Sequence, residues 1–339
     1  MESTDPLRVS YTRGDEIESE HRAALAVVDS QGKLVAAAGD ANLFAYFRSS
    51  AKPFQAIPLV ESGAADAFGL TESELAFCCS SHHGEEAQQQ AVAEMLKKIG
   101  ADPGILQCGA ASPLDDTEFA RVTLGLVSPS PLQNCCSGKH AGMLATCLHL
   151  GYSVDSYLSP GHPLQVQILE IVADAMQVDP SSISLATDGC SLPTFGASVT
   201  SFARAFAALA APEKSPSSGM QAHEPAIERL LAAMVSYPEN IAGKGQLDTE
   251  LMRLANGNVV AKMGAEGLLC MAVPEHELGV AIRICDGSYR GLNMLAISVL
   301  EQLSLVEPSE LLEMKAALIQ PVTNANGWTV GEVRTNLAI

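Results

Sequence analysis

Apolar residues alternate with small and polar ones over residues 23–40, AALAVVDSQGKLVAAAGD, about a central DSQG, and the pattern predicts a β-hairpin. GLLCMAVPEHELGVAIRICDG, residues 267–287, predicts a second hairpin. Between them the period lengthens. From SSAKPFQAIPLVES to about residue 210 the apolar positions follow helical spacing. EEAQQQAVAEMLKKIG, the stretch after SPLQN, SPGHPLQVQILEIVADAMQ and SLPTFGASVTSFARAFAALA all predict helices. The Pro/Ser/Gly-rich segment 211–225 marks a possible boundary, better read as a surface loop than as a linker. Two further helices should follow it, and GLNMLAISVLEQLS another after the second hairpin. The acidic run DEIESE reads as a solvated loop. The pattern therefore predicts an α/β (α+β) fold in a single unit over 1–339. Strands from 1–48 and 259–339 form one sheet layer, and 49–258 is mostly helical.

Charge narrows the partners. The 339 residues carry 20 basic and 39 acidic side chains, a formal charge of −19, so nucleic acid and anionic membrane surfaces repel the chain on average. A small solute is the expected partner. No apolar run approaches the ~18 residues a membrane helix needs, and the first twenty residues hold neither a basic start nor an apolar stretch, which predicts a cytoplasmic protein. The nine cysteines are an odd number, and in such a protein most should be free thiols.

Candidate chemistry begins at FRSSAKPF. Ser49 and Lys52 are spaced i, i+3, which brings hydroxyl and amine to one helical face, and Pro53 puts them at the first turn of the helix. A nucleophile there attacks within the positive field of a helix start, and a desolvated lysine can act as its base. S-x-x-K alone is a weak signal, since Ser30 and Lys33 repeat it in a hairpin turn; taken alone it favours an ordinary serine cap. CCSSHHGEE (78–86) gathers two serines and two histidines between an apolar run and a helix, where Ser80 or Ser81 could equally be a cap. VVAKMGAEG puts Lys262 among apolar residues ahead of a strand, either paired in a closed site or snorkelling from an edge. TDGCSLPTFG holds Asp188 and Cys190 in a tight turn before a helix. In NCCSGKH, Cys136 and His140 lie i, i+4, the spacing for a thiolate–imidazole metal pair. An early S-x-x-K, a Ser/His loop and a late Lys-x-Gly repeat the order found in serine β-lactamases and penicillin-binding enzymes.

Taken in order, FRSSAKPFQAIPL, CSSHHGE, CGAASP, NCCSGKHAGML, GHPLQ, TDGCSLPTF, AKMGAEGL and DGSYRG resemble the zinc-containing L-asparaginases of the rhizobial type. That resemblance implies a serine β-lactamase and glutaminase-like fold and hydrolysis of L-asparagine to L-aspartate and ammonia. It implies two Ser–Lys pairs, Ser49 with Lys52 and Ser81 with Lys262. It also implies zinc held by Cys136, Lys139 and Cys190, with Arg48, His140 and Asp188 around the substrate, and a homodimer. Lys139 as a ligand comes from the resemblance, whereas spacing favours His140. Other readings are a glutaminase or β-lactamase-like amidohydrolase, or a zinc-stabilised binding protein without catalysis.

Overall fold

The computed structural model describes residues 6–339. The chain opens with strands β1 (Arg8–Arg13), β2 (Glu16–Asp29) and β3 (Leu34–Ala38). β2 is long enough to serve two neighbours along one edge, its first half pairing with β1 and its second with β3. Its sequence divides the same way. Ala23 to Val28 are buried, while residues 16–22 face outward, so most of the acidic run expected as a loop is the wet half of a strand. The acids keep their water there while the β1 ladder satisfies the backbone.

β4 (Phe44–Tyr46) and a 3-10 turn over Arg48–Ala51 lead into α1 (Lys52–Glu61). Next come α2 (Ala64–Ala67), α3 (Glu72–Cys78), α4 (Glu86–Lys98), α5 (Asp116–Thr123), α6 (Ser137–Leu150) and α7 (Pro163–Met176). β5 (Ser184–Thr187) and β6 (Pro193–Ser198) follow, with α8 (Val199–Ala210) after them. Residues 193–198 were expected in a helix. They are instead the middle strand of a three-stranded sheet ordered β4, β6, β5, and Pro193 is tolerated there as a first strand residue.

The 211–225 segment is more ordered than a polar loop. It contains α9 (Ser218–Ala222) and runs into α10 (Glu224–Ser236). Three helices, not two, then precede the next strand, because Pro238 starts a separate α11 (Pro238–Ala242) before α12 (Leu247–Leu254). β7 (Val260–Gly264), β8 (Leu268–Val273) and β9 (Leu278–Ile284) follow, then α13 (Leu292–Gln302), α14 (Pro308–Leu318) and the short strands β10 (Val322–Thr323), β11 (Thr329–Gly331) and β12 (Val333–Thr335).

The seven-stranded antiparallel sheet runs β12, β1, β2, β9, β8, β7, with β3 beside β2. Its strands come from both ends of the chain and the intervening region is mostly helical, so the fold is of mixed α/β class. β7 is an edge strand, and it passes the 3-10 turn at Arg48–Ala51. That turn is fixed from beneath. Phe47 is fully buried and stacks on Phe202 of α8, centroids 4.6 Å apart and 2° from parallel, with Phe54 of α1 at 5.7 Å and Phe206 at 6.1 Å. Burying such a ring contributes roughly 1.5–3 kcal/mol, so the residue before Arg48 is a firm anchor.

Candidate active site

Arg48 is the first constrained residue of the site. Its φ of +49° lies in the left-handed region that side chains with a Cβ seldom adopt, and strain of that kind collects at functional sites. Its guanidinium Nε donates to Asp188 at 2.6 Å, which ties the turn to the loop between β5 and β6. Ser191 in that loop is also left-handed, at +71°. Ser49 follows at the start of the 3-10 turn, half-buried, with no hydrogen-bond partner for its hydroxyl among the described residues. Beside it Ser50 donates to the main-chain oxygen of Lys262 at 2.9 Å, which fastens the turn to β7. Gly264 permits that approach: a Cβ there would lie 2.9 Å from the Phe47 carbonyl oxygen.

Lys52 is fully buried, and Ser49 is not among its hydrogen-bond partners. It donates to the Ser81 hydroxyl at 2.9 Å, to the Cys135 carbonyl at 3.4 Å and to the Ser80 carbonyl. A buried amine must have its hydrogens satisfied, and these three oxygens are the partners the structure gives it. The expected Ser49–Lys52 pair therefore shares one turn without a hydrogen bond, and Lys52 is joined to the second serine. Of the two candidates in SSHH, Ser80 turns its hydroxyl back onto the Phe77 carbonyl at 2.8 Å, and Ser81 faces the lysine. Neither caps α4, since Glu85 and Gln88 cap it reciprocally.

Lys262 lies within β7 rather than ahead of a strand, and it does not snorkel. Its Nζ donates to Asp248 at 3.1 Å and to the Met263 carbonyl at 3.1 Å; Ser81 is not among its partners. Burial pushes its pKa below the ordinary lysine value, with Asp248 resisting and the charge of Lys52 adding to the drop. Asp248 is a site residue that sequence reasoning missed. In GQLDTEL it has the look of an ordinary acid in a helix's first turn, and no local pattern ties it to a lysine on a later strand.

The CCSGK turn packs against the end of α3 through Gly138, where a Cβ would meet the Phe77 carbonyl oxygen at 2.4 Å. His82, fully buried, pins the same two segments: its Nε2 donates to Ser137 Oγ at 2.8 Å while Nδ1 accepts from the Gly84 amide at 3.1 Å. Burial and the nearby Lys52 hold this imidazole neutral, its pKa pushed down to about 3. At the start of α6, Cys136 hydrogen-bonds with Cys135 and Cys190, and these contacts hold its thiol well below the ordinary range; the first two sulfurs are 3.9 Å apart. Cys135 and Cys190 are raised in turn, chiefly by the same bonds, so of the three thiols Cys136 gives up its proton most readily. Lys139 Nζ lies 3.2 Å from Cys190 Sγ. Burial disfavours its charge, but Cys190, Cys136 and Asp188 outweigh this and raise its pKa.

Two sulfurs and an amine drawn from one turn and one loop are donors that zinc accepts, so the residues present fit the metal. To join them Lys139 would have to release its proton. His140 turns elsewhere. Its Nδ1 is hydrogen-bonded to the Tyr157 hydroxyl at 2.7 Å, and that oxygen also accepts the Gln107 amide at 3.0 Å. Its Nε2 is left as a fully buried nitrogen without a partner among the described residues. Groups of three or more His, Cys, Asp or Glu able to hold a metal are absent among the described residues.

The structure thus gathers Arg48 with Asp188, Lys52 with Ser81, and Cys136 and Lys139 with Cys190. Among the described residues Lys262 makes no hydrogen bond to Ser81, and His140 makes none to Lys139 or the thiols. Tyr157 is a further residue that sequence reasoning missed, and DSYLSP offers no signal for it.

A search of curated proteins found no match. Similar solved structures include Mglu in its native form in 4.3 M NaCl, with 15% identity and a TM-score of 0.47 over 84% of this chain and 62% of that one. A β-lactamase from Mycobacterium bovis gives 15% identity and a TM-score of 0.41 over 84% of this chain and 95% of that one. A Bacillus glutaminase gives 12% and 0.40 over 84% and 91%. The chain spans about three fifths of the Mglu chain's length, and overlaps at these TM-scores carry no weight for function. No helix among the described residues is long and apolar enough to cross a membrane. The family model for L-asparaginase II matches residues 9–335, nearly the whole chain, and the protein therefore belongs to the L-asparaginase II family.

Proposed function

We propose that the protein is an L-asparaginase that hydrolyses L-asparagine to L-aspartate and ammonia by acyl transfer through Ser49. Membership of the family supports an amidohydrolase. The observation that carries the serine–lysine reading is the Lys52 amine, buried at the Ser49 turn and 2.9 Å from the Ser81 hydroxyl. With Lys52 as the neutral amine, Ser49 attacks the side-chain amide carbon as its proton passes to that amine, and Lys52 then gives the proton to the amide nitrogen, which leaves as ammonia. Water then opens the aspartyl ester and Ser49 recovers its proton. Ser81 extends the proton path from Lys52, and Lys262 is the second amine of the site. Arg48, held by Asp188, and the unpartnered Nε2 of His140 are suited to the amino acid's polar ends.

Cys136, Lys139 and Cys190 would hold zinc, whose contribution is to grip and orient the substrate. Lys139 rather than His140 is the third donor in this reading, because it is Lys139 that touches Cys190. A homodimer belongs to the same reading and rests on the sequence resemblance. The test is ammonia release from L-asparagine, compared between the parent and Ser49→Ala.

A further inference from the structure

Asp248 occupies a position the serine–lysine account leaves unused. It is 1% exposed and Lys262 is not exposed at all, so a carboxylate and an amine face each other with almost no water. Their contact is over-determined: Asp248 Oδ2 accepts from Lys262 Nζ at 3.1 Å, and both carboxylate oxygens lie 3.0 Å from the Met263 amide. The lysine's second bond goes to the Met263 carbonyl, so one residue's backbone clamps both partners. Lys262 therefore has one hydrogen or lone pair uncommitted. Breaking such a buried pair leaves an uncompensated charge.

We propose that Asp248 is the positioning residue for Lys262, fixing where the amine sits and holding on it the proton that the reaction moves. The groups facing Lys262 are few. Asp248 comes from α12, Lys52 from α1 and the Cys135 thiol from the CCSGK turn, with the raised thiols of Cys79 after α3 and Cys270 across from it on β8, and His83 on the outer side. α10, which also packs on β7, has Ala226, Ile227, Leu230, Ala233 and Met234 as its buried residues. Among the described residues Asp248 is thus the one carboxylate that faces Lys262, beside the Lys52 amine and thiols raised by burial, and it holds the lysine's pKa up against burial.

The inference rests on the amidohydrolase reading, and its test separates the two. Asp248→Asn keeps the shape and removes the charge. Its kcat should fall about tenfold or more with KM within about twofold, and the rising limb of the kcat–pH profile should move to lower pH by at least about half a unit. Asp248→Glu restores the charge and should return the limb toward the parent's position. A variant that is less stable but has the parent's pH profile would overturn the proposal. A direct measurement uses lysine labelled at its terminal carbon, with the Lys262 signal identified by its loss in Lys262→Met. In the parent that signal should titrate at lower pH than surface Lys97, and in Asp248→Asn at lower pH still. Coincidence of Lys262 with Lys97 in the parent overturns the proposal even where neither variant folds. Parent protein that releases no ammonia removes the amidohydrolase reading, while the carbon titration still decides what Asp248 does to the amine.

Discussion

Lys52 sets its amine 2.9 Å from the Ser81 hydroxyl, although the two are 29 positions apart in the chain and Ser49 is only three positions from the lysine. The amine is a hub between two serines: one shares its turn and has no partner, the other shares its hydrogen bond. A hydroxyl that is half-buried and uncommitted is free to attack, whereas one engaged by the amine is better placed to pass a proton. Ser49→Ala should therefore lower turnover to below about 1% of the parent while leaving fold and metal content unchanged. Ser81→Ala should retain more activity than Ser49→Ala. The reverse order in single-turnover rates would move the nucleophile to Ser81.

Two buried histidines make acid stability a sharp test of the interior. His82 and His140 both have pKa values pushed from 6.5 down to about 3, by burial first and by neighbouring lysines second. The unfolded chain takes up these protons at higher pH than the folded one. The stability they leave intact at neutral pH should therefore be lost progressively as pH falls from 6.5 toward 3. His82→Gln, which keeps polar atoms near Ser137, should flatten that loss without abolishing it, since His140 remains. Denaturant melts between pH 7 and pH 4 report both slopes, and equal slopes for parent and variant would show that His82 is not buried neutral.

Much of this was readable from pattern and some was not, for reasons that divide cleanly. Both hairpins and the helices at α4, α6, α7 and α13 were marked by local periodicity, and Pro53 fixed the start of α1 at SSAK. β6 was mistaken for helix because PTFGAS has no period strong enough to outweigh the helix that follows it, and its strand state depends on β4 and β5 on either side. Glu16 to Glu20 looked like a loop because acids dominate, yet pairing with β1 decides their conformation. At the site, residue types were legible and partners were not. Which amine meets which oxygen depends on how α12 and the SSHH loop pack, and no spacing within a short window encodes that.

The aromatic anchor under the active-site turn should be expensive to remove. Phe47→Ala would empty the stack against Phe202 and loosen the segment that carries Arg48 and Ser49, at a cost of about 3–5 kcal/mol. Urea titration measures this directly, and a loss under about 1 kcal/mol would show that the turn is held by other contacts.

If Cys136, Lys139 and Cys190 hold zinc, the purified protein should bind about one zinc per chain, and Cys136→Ser or Cys190→Ser should lower that sharply. Cys135→Ser should not. Metal binding should release protons, and chelation should raise KM for asparagine while the chain stays folded. Loss of zinc on His140→Ala with none on Lys139→Ala would assign the third ligand to the imidazole.

The most direct measurement is ammonia release from L-asparagine by the purified, zinc-loaded protein, run beside Ser49→Ala at equal concentration. The serine–lysine account predicts sustained release of ammonia and equimolar aspartate by the parent and almost none by the variant. Release at the same rate by both proteins, or no ammonia from the folded, zinc-loaded parent, would contradict it.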